Sequence, residues 1–99
     1  MTVAFNENVT DEAISSHLKH FIVDALFIDI DSAQIADDSL LGTEVGVDSL
    51  GFAELMAHLE DEYGITVTDG EFLPENFATV ERVVRLVRSK LAVGAPTTG

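Results

Sequence analysis

Cysteine is missing from this 99-residue chain, and basic residues and proline are scarce. Without cysteine the chain can form neither a disulfide framework nor a zinc–thiolate site, so any thiol chemistry must come from a prosthetic group. No apolar run approaches the roughly 20 residues that a membrane span requires. The first residues lack the basic flank and the apolar core of a secretory signal, and we therefore expect a cytoplasmic protein.

Five basic residues stand against eighteen acidic ones, which gives a formal net charge of −13. Lys19 is the only base before residue 82, so most of the chain is strongly anionic. This charge would repel the phosphate backbone of nucleic acids and argues against a nucleic-acid-binding protein. It would attract basic protein surfaces at long range, although acidity that serves only solubility is an equally open interpretation.

The first and last thirds of the chain each carry the apolar periodicity of an amphipathic helix. The first predicted helix runs from about Thr10, a favourable N-cap, to Ile28. The last begins after Thr79, a second favourable N-cap. The predicted buried residues are Ile14, Leu18, Phe21, Ile22, Ala25 and Leu26 in the first helix, and Val80, Val83, Val84, Val87 and Leu91 in the last.

A central helix is predicted to begin at Asp48-Ser49 and to end near Tyr63. Asp48 is a favourable N-cap, and Gly64 can adopt the left-handed conformation that stops a helix. The apolar stripe predicted for this helix consists of Leu50, Ala53, Leu55, Met56, Leu59 and Tyr63.

The connections also carry apolar residues. Residues 29–47 form a long loop rich in turn formers, and we expect Ile35, Leu40, Leu41 and Val45 to anchor it to the helices. Residues 65–67 alternate between apolar and polar side chains, which is typical of a packed extended segment. Residues 69–73 could form a single helical turn that Pro74 closes.

Together these patterns predict an all-α fold. It would be a small four-helix bundle, made of three main helices plus one short helix, with a long first loop. We expect residues 1–92 to form the domain and residues 93–99 to form a flexible C-terminal tail.

Chemistry is suggested by one stretch, Gly46-Val47-Asp48-Ser49-Leu50-Gly51-Phe52-Ala53-Glu54-Leu55. Ser49 would lie just inside the start of a helix, exposed and beside free backbone N–H groups. Such a position favours a phosphate or a phosphodiester. Taken alone, however, Asp48-Ser49 is more often an ordinary capping pair.

This stretch resembles the signature of the acyl carrier proteins, in which an Asp-Ser-Leu triplet opens the second helix and a Glu-Leu pair follows. Here the triplet is residues 48–50 and the pair is residues 54–55. The run Leu59-Glu60-Asp61-Glu62-Tyr63-Gly64-Ile65 is similar to the end of that helix in the family. Phe77-Ala78-Thr79-Val80 is similar to the start of the family's last helix. The resemblance covers about residues 10–91, in the family's order and spacing.

The resemblance implies that Ser49 carries 4′-phosphopantetheine, transferred from coenzyme A by a separate magnesium-dependent transferase, and that Asp48 helps to present the serine. The chain would then be a non-catalytic, monomeric carrier that holds acyl groups as thioesters. Its partners would be the phosphopantetheinyl transferase and basic-surfaced ligases, ketosynthases, acyltransferases or condensation enzymes. The partner-binding residues implied by the resemblance are Leu50, Phe52, Glu54, Glu60, Asp61 and Glu62.

Three residues depart from the usual family pattern. Gly51 stands where many members have an acidic residue, which removes a negative contact and weakens the helix start by roughly 1 kcal/mol relative to alanine. Val47 replaces a more frequent leucine, and Phe52 could be an exposed partner contact or could fold inward. These departures favour a discrete carrier of a specialised polyketide or lipopeptide pathway over one of general fatty-acid synthesis. Asp48 favours an acyl over a peptidyl carrier, and an unmodified acidic interaction module is the other alternative.

Two other kinds of site fit the sequence poorly. A hydrolase triad built on Ser49 would lack the Gly-x-Ser-x-Gly turn, so we predict no catalytic residue. Residues 29–40 begin like a calcium-binding loop, but position six is glutamine rather than glycine and position twelve is Leu40 rather than glutamate. We therefore predict no metal site. His17 and His20 are interpreted as surface or boundary residues and His58 as a solvated helix residue.

Overall fold

The computed structural model describes residues 10–94 of the chain, without the side chains of residues 92–94. Three α-helices pack together: α1 (Asp11–Ala25), α2 (Ser49–Tyr63) and α3 (Val80–Gly94). Short 3-10 turns at Ser32–Gln34 and Pro74–Asn76 and a π-type turn at Leu41–Val45 lie in the connections. The predicted all-α bundle with a long first loop is confirmed. Within the described residues, no helix is long and apolar enough to cross a membrane.

The core draws apolar residues from all three helices and from both connections between them. Each fully buried aliphatic side chain contributes about 1.5–3 kcal/mol relative to an exposed one. Within residues 10–91 no polar or charged residue is buried. The buried residues that confirm the predicted stripes are Ile14, Leu18 and Ile22 in α1, Leu55, Leu59 and Tyr63 in α2, and Val80, Val83, Val84, Val87 and Leu91 in α3.

Three residues predicted to be buried or to anchor the loop are exposed instead. Ala25 lies on the outer surface of the last turn of α1. Leu50 is 68% exposed, because it lies at the start of α2 and not on the buried face of that helix. Leu40 is 46% exposed, whereas its neighbour Leu41 is fully buried and takes the anchoring role predicted for both.

Helix α1 ends at Ala25, three residues before the predicted limit at Ile28. Leu26 is the C-cap, and Phe27 follows with φ 56° and its side chain 89% exposed. A left-handed backbone ends a helix, but it costs a residue other than glycine roughly 1 kcal/mol or more. The sequence offers no glycine here, so the position of the helix end could not be predicted from it.

The long first loop is tied to the start of α3 by backbone hydrogen bonds. Leu41 N donates to Ala78 O at 2.9 Å, and Glu81 N donates to Asp37 O at 2.9 Å. Ile35, Leu41 and Val45 are buried, as predicted. The loop is therefore a packed part of the domain rather than a free connection.

One prediction about the second half of the chain needs correction, and another can be compared with the structure only in part. The single turn predicted within residues 69–73 is present, since Glu71 N and Phe72 N both donate to Thr68 O at 3.0 Å, but Pro74 begins a separate 3-10 turn instead of closing it. The first position of a helical turn suits proline, because its missing N–H is not needed there. At the other end, α3 continues to Gly94, two residues into the predicted tail, and residues 95–99 lie outside the described part of the chain.

Asp37 joins the long loop to α1 through its side chain. Its Oδ1 lies 2.9 Å from Lys19 Nζ and accepts a hydrogen bond from Ser15 Oγ at 2.8 Å. The hydrogen bond from Lys19, followed by that from Ser15, lowers the pKa of Asp37 below its usual value of 3.8. The charged form of Asp37 therefore stabilises the folded state.

Leu59→Ala should lower the free energy of unfolding by about 2–5 kcal/mol, because the substitution leaves a cavity where a fully buried side chain was. Urea unfolding followed by circular dichroism measures the loss. Leu50→Ala removes the same atoms from an exposed position of the same helix and should change stability by about 0.5 kcal/mol or less. Equal losses in the two variants would contradict the burial described for Leu59.

Asp37→Asn should destabilise the protein at neutral pH, by at most about 1 kcal/mol because the carboxylate is largely exposed. Since the folded-state pKa lies below the unfolded value, this contribution is present above pH 3.8 and is lost as the pH falls through the folded-state pKa. Thermal unfolding over a falling pH series measures it. Asp38→Asn removes the same charge from an exposed neighbour and is the control. A stability gap between the two variants that persists at the lowest pH would contradict this assignment.

Candidate functional site

Ser49 is the first residue of α2 and is exposed at one end of the bundle. Asp48 caps this helix: its Oδ1 accepts a hydrogen bond from Gly51 N at 2.8 Å, and its backbone oxygen accepts one from Phe52 N at 2.9 Å. The predicted start of the second helix is confirmed. The arrangement leaves the Ser49 hydroxyl at the positive end of a fifteen-residue helix, where a phosphate group is stabilised.

The backbone that leads into Ser49 is held from the interior side. Leu41 O accepts hydrogen bonds from Gly46 N at 3.0 Å and from Val47 N at 2.8 Å. Gly46 has φ 99°, a conformation that only glycine adopts at little cost. Because Leu41 and Val47 are both buried, the chain reaches Asp48 and Ser49 from a fixed position rather than from a free loop.

Gly51 is buried in the first turn of α2. A Cβ atom at this position would lie 3.0 Å from Val47 Cγ1, 3.3 Å from Asp48 Oδ1 and 3.3 Å from Leu26 Cδ1. From the sequence alone, Gly51 removes an acidic contact and weakens the start of the helix. In the structure its missing side chain has a further effect. It lets the end of α1 pack directly on the first turn of α2.

An apolar groove with a volume of about 480 Å³ opens beside Ser49. Phe52 is partly buried against the core and lines this groove, so the structure supports the inward of the two orientations considered for it. The rings of Phe72 and Phe77 pack edge to face on another wall, with centroids 5.0 Å apart. The groove thus places an apolar surface next to the one hydroxyl that the sequence singled out.

The acidic residues of α2 differ in what they do. Glu54, Asp61 and Glu62 are exposed, and none of the ion pairs found within residues 10–94 involves them. Glu60 is partly buried, and its Oε2 accepts a hydrogen bond from Val67 N at 2.8 Å. Glu60 therefore holds the extended segment 65–67, whose Ile65 and Val67 are buried as predicted.

Four of the five bases are engaged in ion pairs away from this acidic surface. The observed pairs are Lys19–Asp37 at 2.9 Å, Arg85–Glu81 at 3.7 Å, Arg88–Asp11 at 2.8 Å and Lys90–Glu71 at 2.8 Å. The hydrogen bond from Lys90 is the main cause that lowers the pKa of Glu71. These contacts leave the outer surface of α2 as an anionic face with an exposed apolar residue, Leu50, near Ser49.

Two histidines that the sequence treated as separate surface residues meet between α1 and α2. His17 Nε2 and His58 Nε2 are 2.6 Å apart, and the ring of Phe21 stacks on His58. Burial, followed by the charge of His17, lowers the pKa of His58. His20 lies apart from this pair, and its Nδ1 is 2.9 Å from Ser16 O. The only sequence signal was that His17 and His58 each directly precede a leucine of a predicted buried stripe.

Comparison with known families identifies one match over most of the described chain. A family model described as a phosphopantetheine attachment site matches residues 22–87, which is two thirds of the sequence. The matched region contains the capped start of α2, the groove beside it and the first half of α3.

Gly51→Asp, which places an acidic side chain in the first turn of α2, should destabilise this protein by about 1–3 kcal/mol. The first atom of the new side chain would already crowd Val47 and Leu26, and its carboxylate would lie close to Asp48. Urea unfolding measures the effect. Gly70→Asp makes the same change at an exposed turn and should leave stability nearly unaltered. A Gly51→Asp protein as stable as the parent would show that the first turn of α2 does not depend on this contact.

Proposed function

Because the chain belongs to the family of proteins with a phosphopantetheine attachment site, we propose that it is an acyl carrier protein whose arm is attached to Ser49. Members of this family hold 4′-phosphopantetheine covalently and work with a phosphopantetheinyl transferase and with biosynthetic enzymes; their carrier domains are generally non-catalytic. The observation that carries the proposal is the exposed Ser49 hydroxyl at the first residue of α2, inside the matched region.

The residues around Ser49 suit a phosphodiester and an apolar chain. The N-terminus of α2 favours the negative charge of the phosphate. Asp48 directs its carboxylate to Gly51 N, which fixes the helix start and leaves the serine accessible to a transferase. The groove beside Ser49 offers Phe52, Phe72 and Phe77 to an apolar group. When bound, the prosthetic group supplies a thiol that can hold an acyl group as a thioester.

We propose that partner enzymes bind the start and the outer face of α2. Leu50 is 68% exposed one residue after the modified serine and offers an apolar contact. Glu54, Asp61 and Glu62 would meet a basic patch on the partner, while Glu60 uses one oxygen inside the molecule. Exposed ion pairs of this kind contribute little singly and are screened by salt, so binding should be weak and rapidly reversible. Phe52 would act mainly through the groove.

The partners proposed are a phosphopantetheinyl transferase and acyl-loading or acyl-processing enzymes. The proposed cargo is acyl rather than peptidyl, on the strength of Asp48 before the serine. Gly51 and Phe52 support a carrier of a specialised polyketide or lipopeptide pathway, because both shape the start of α2 differently from the usual family pattern. The chain itself would act as a carrier without catalytic residues.

The purified chain, incubated with coenzyme A, magnesium and a broad-specificity phosphopantetheinyl transferase, should gain the mass of one phosphopantetheine. Intact-mass spectrometry measures the gain. Ser49→Ala should gain nothing, and Ser16→Ala, which alters another exposed serine, should be modified like the parent. The modified chain should then accept a fatty acid from an acyl-carrier ligase more readily than an amino acid from an adenylation enzyme.

Each result of this experiment has a definite meaning. A folded parent that gains no mass, while a known carrier is modified in parallel, would contradict the proposal and favour an unmodified acidic interaction module. A gain that survives Ser49→Ala would contradict the assigned residue. Loading by amino-acid enzymes alone would change the proposal to a peptidyl carrier.

A further inference from the structure

Three side chains with metal-binding atoms come together between α1 and α2. His17 from α1 and His58 and Glu62 from α2 each present one ligand atom, and these atoms all lie within 4.8 Å of one another. His58 and Glu62 are four residues apart on one helix and so share a face. Both histidines are partly buried, whereas Glu62 is exposed at the edge of the cluster.

The two imidazoles are held by aromatic neighbours. Phe21 stacks on His58 with ring centroids 4.1 Å apart and planes 13° from parallel. Tyr63 packs its edge on His17 at 6.1 Å, with the planes at 85°. Rings supported in this way lose less freedom when they bind a ligand than rings free in solvent. The cluster is therefore partly preorganised.

The separations are close to those of a tetrahedral metal site. Ligand atoms at 2.0–2.2 Å from a tetrahedral ion are about 3.3–3.6 Å from one another. The His17 and His58 Nε2 atoms, at 2.6 Å, would have to separate by about 0.7–1.0 Å, and the Glu62 carboxylate would have to approach. In the metal-free pair one Nε2–H donates to the other Nε2. With an ion between them both rings would carry their proton on Nδ1 and direct a lone pair at the metal.

We propose that His17, His58 and Glu62 form a binding site for a borderline-soft divalent transition ion of the zinc type, with water completing the coordination. A set of two imidazoles and one carboxylate suits Zn²⁺, while magnesium and calcium prefer oxygen ligands alone. The neighbouring Asp61 and the net charge of −13 add a long-range attraction for cations.

This site lies away from Ser49, although it shares Glu62 with the proposed partner-binding face of α2. Ser49 and Glu62 are thirteen residues apart on α2, which places them about 20 Å apart along the helix axis. A metal ion would link α1 to α2 and stabilise the folded chain in proportion to its occupancy, because the unfolded chain does not hold the three ligands together. The inference does not depend on the modification of Ser49.

Zinc chloride titrated into the full unmodified chain tests the proposal, since the thiol of an attached prosthetic group would itself bind zinc. Isothermal titration calorimetry at physiological salt should show one Zn²⁺ per chain that excess magnesium does not displace, and saturation should raise the melting temperature. His17→Gln and His58→Gln should each weaken binding by about tenfold or more, as even the loss of a supporting residue commonly does. His20→Gln, an exposed histidine of the same helix, is the matched control and should bind like the parent.

A second measurement on the unaltered protein avoids any effect of the variants on folding. Imidazole ¹H–¹⁵N spectra should show zinc-dependent shifts at Nε2 of His17 and His58 and none at His20. The proposal would be overturned by binding that magnesium displaces, by binding that His20→Gln weakens as much as His58→Gln does, or by spectra in which zinc moves all three histidines alike or none of them.

Discussion

Leu26, the C-cap of α1, packs on Gly51 in the first turn of α2, and Val47 packs on the same glycine from the preceding loop. This contact brings the end of one helix, the end of the long loop and the start of the next helix to one point. The contact constrains the start of α2, because a Cβ atom at residue 51 would lie 3.0 Å from Val47 Cγ1 and 3.3 Å from Leu26 Cδ1, and these side chains would have to shift to admit it. Ser49 precedes Gly51 by two residues and so points away from the buried contact, and its exposure is a consequence of this packing.

Much of the fold could be predicted because its signals are local. Thr10, Asp48 and Thr79 each accept a hydrogen bond from a backbone N–H three residues later, so each α-helix within residues 10–94 starts where a capping side chain predicts it. The end of α1 has no such signal. Phe27 adopts a left-handed backbone that the sequence alone would assign to glycine.

Some parts of the candidate site could be predicted from the sequence, and other parts could not. The serine and its cap follow from one short motif, whereas the groove beside them needs residues 40–43 and 72–78 to fold against α2, which no spacing in the sequence encodes. The contact between His17 and His58 is of the same kind, because 41 residues separate the two. Each histidine precedes a core leucine in the sequence, and only the packing of α1 against α2 shows that the two histidines are in contact.

Some charges of the molecule form ion pairs that join its segments, and others form an unpaired acidic surface on α2. The bases Lys19, Arg88 and Lys90 pair with acids on other segments, so they join α1 to the long loop and join α3 both to α1 and to the connection that precedes it. The acids on the outer face of α2 take part in none of these pairs and repel one another, which costs the folded state free energy. The same uncompensated charge is what a basic partner would recognise. Salt therefore has two opposite effects on α2. Screening relieves the repulsion among its acids, which stabilises the fold, and it weakens the attraction between α2 and a basic partner.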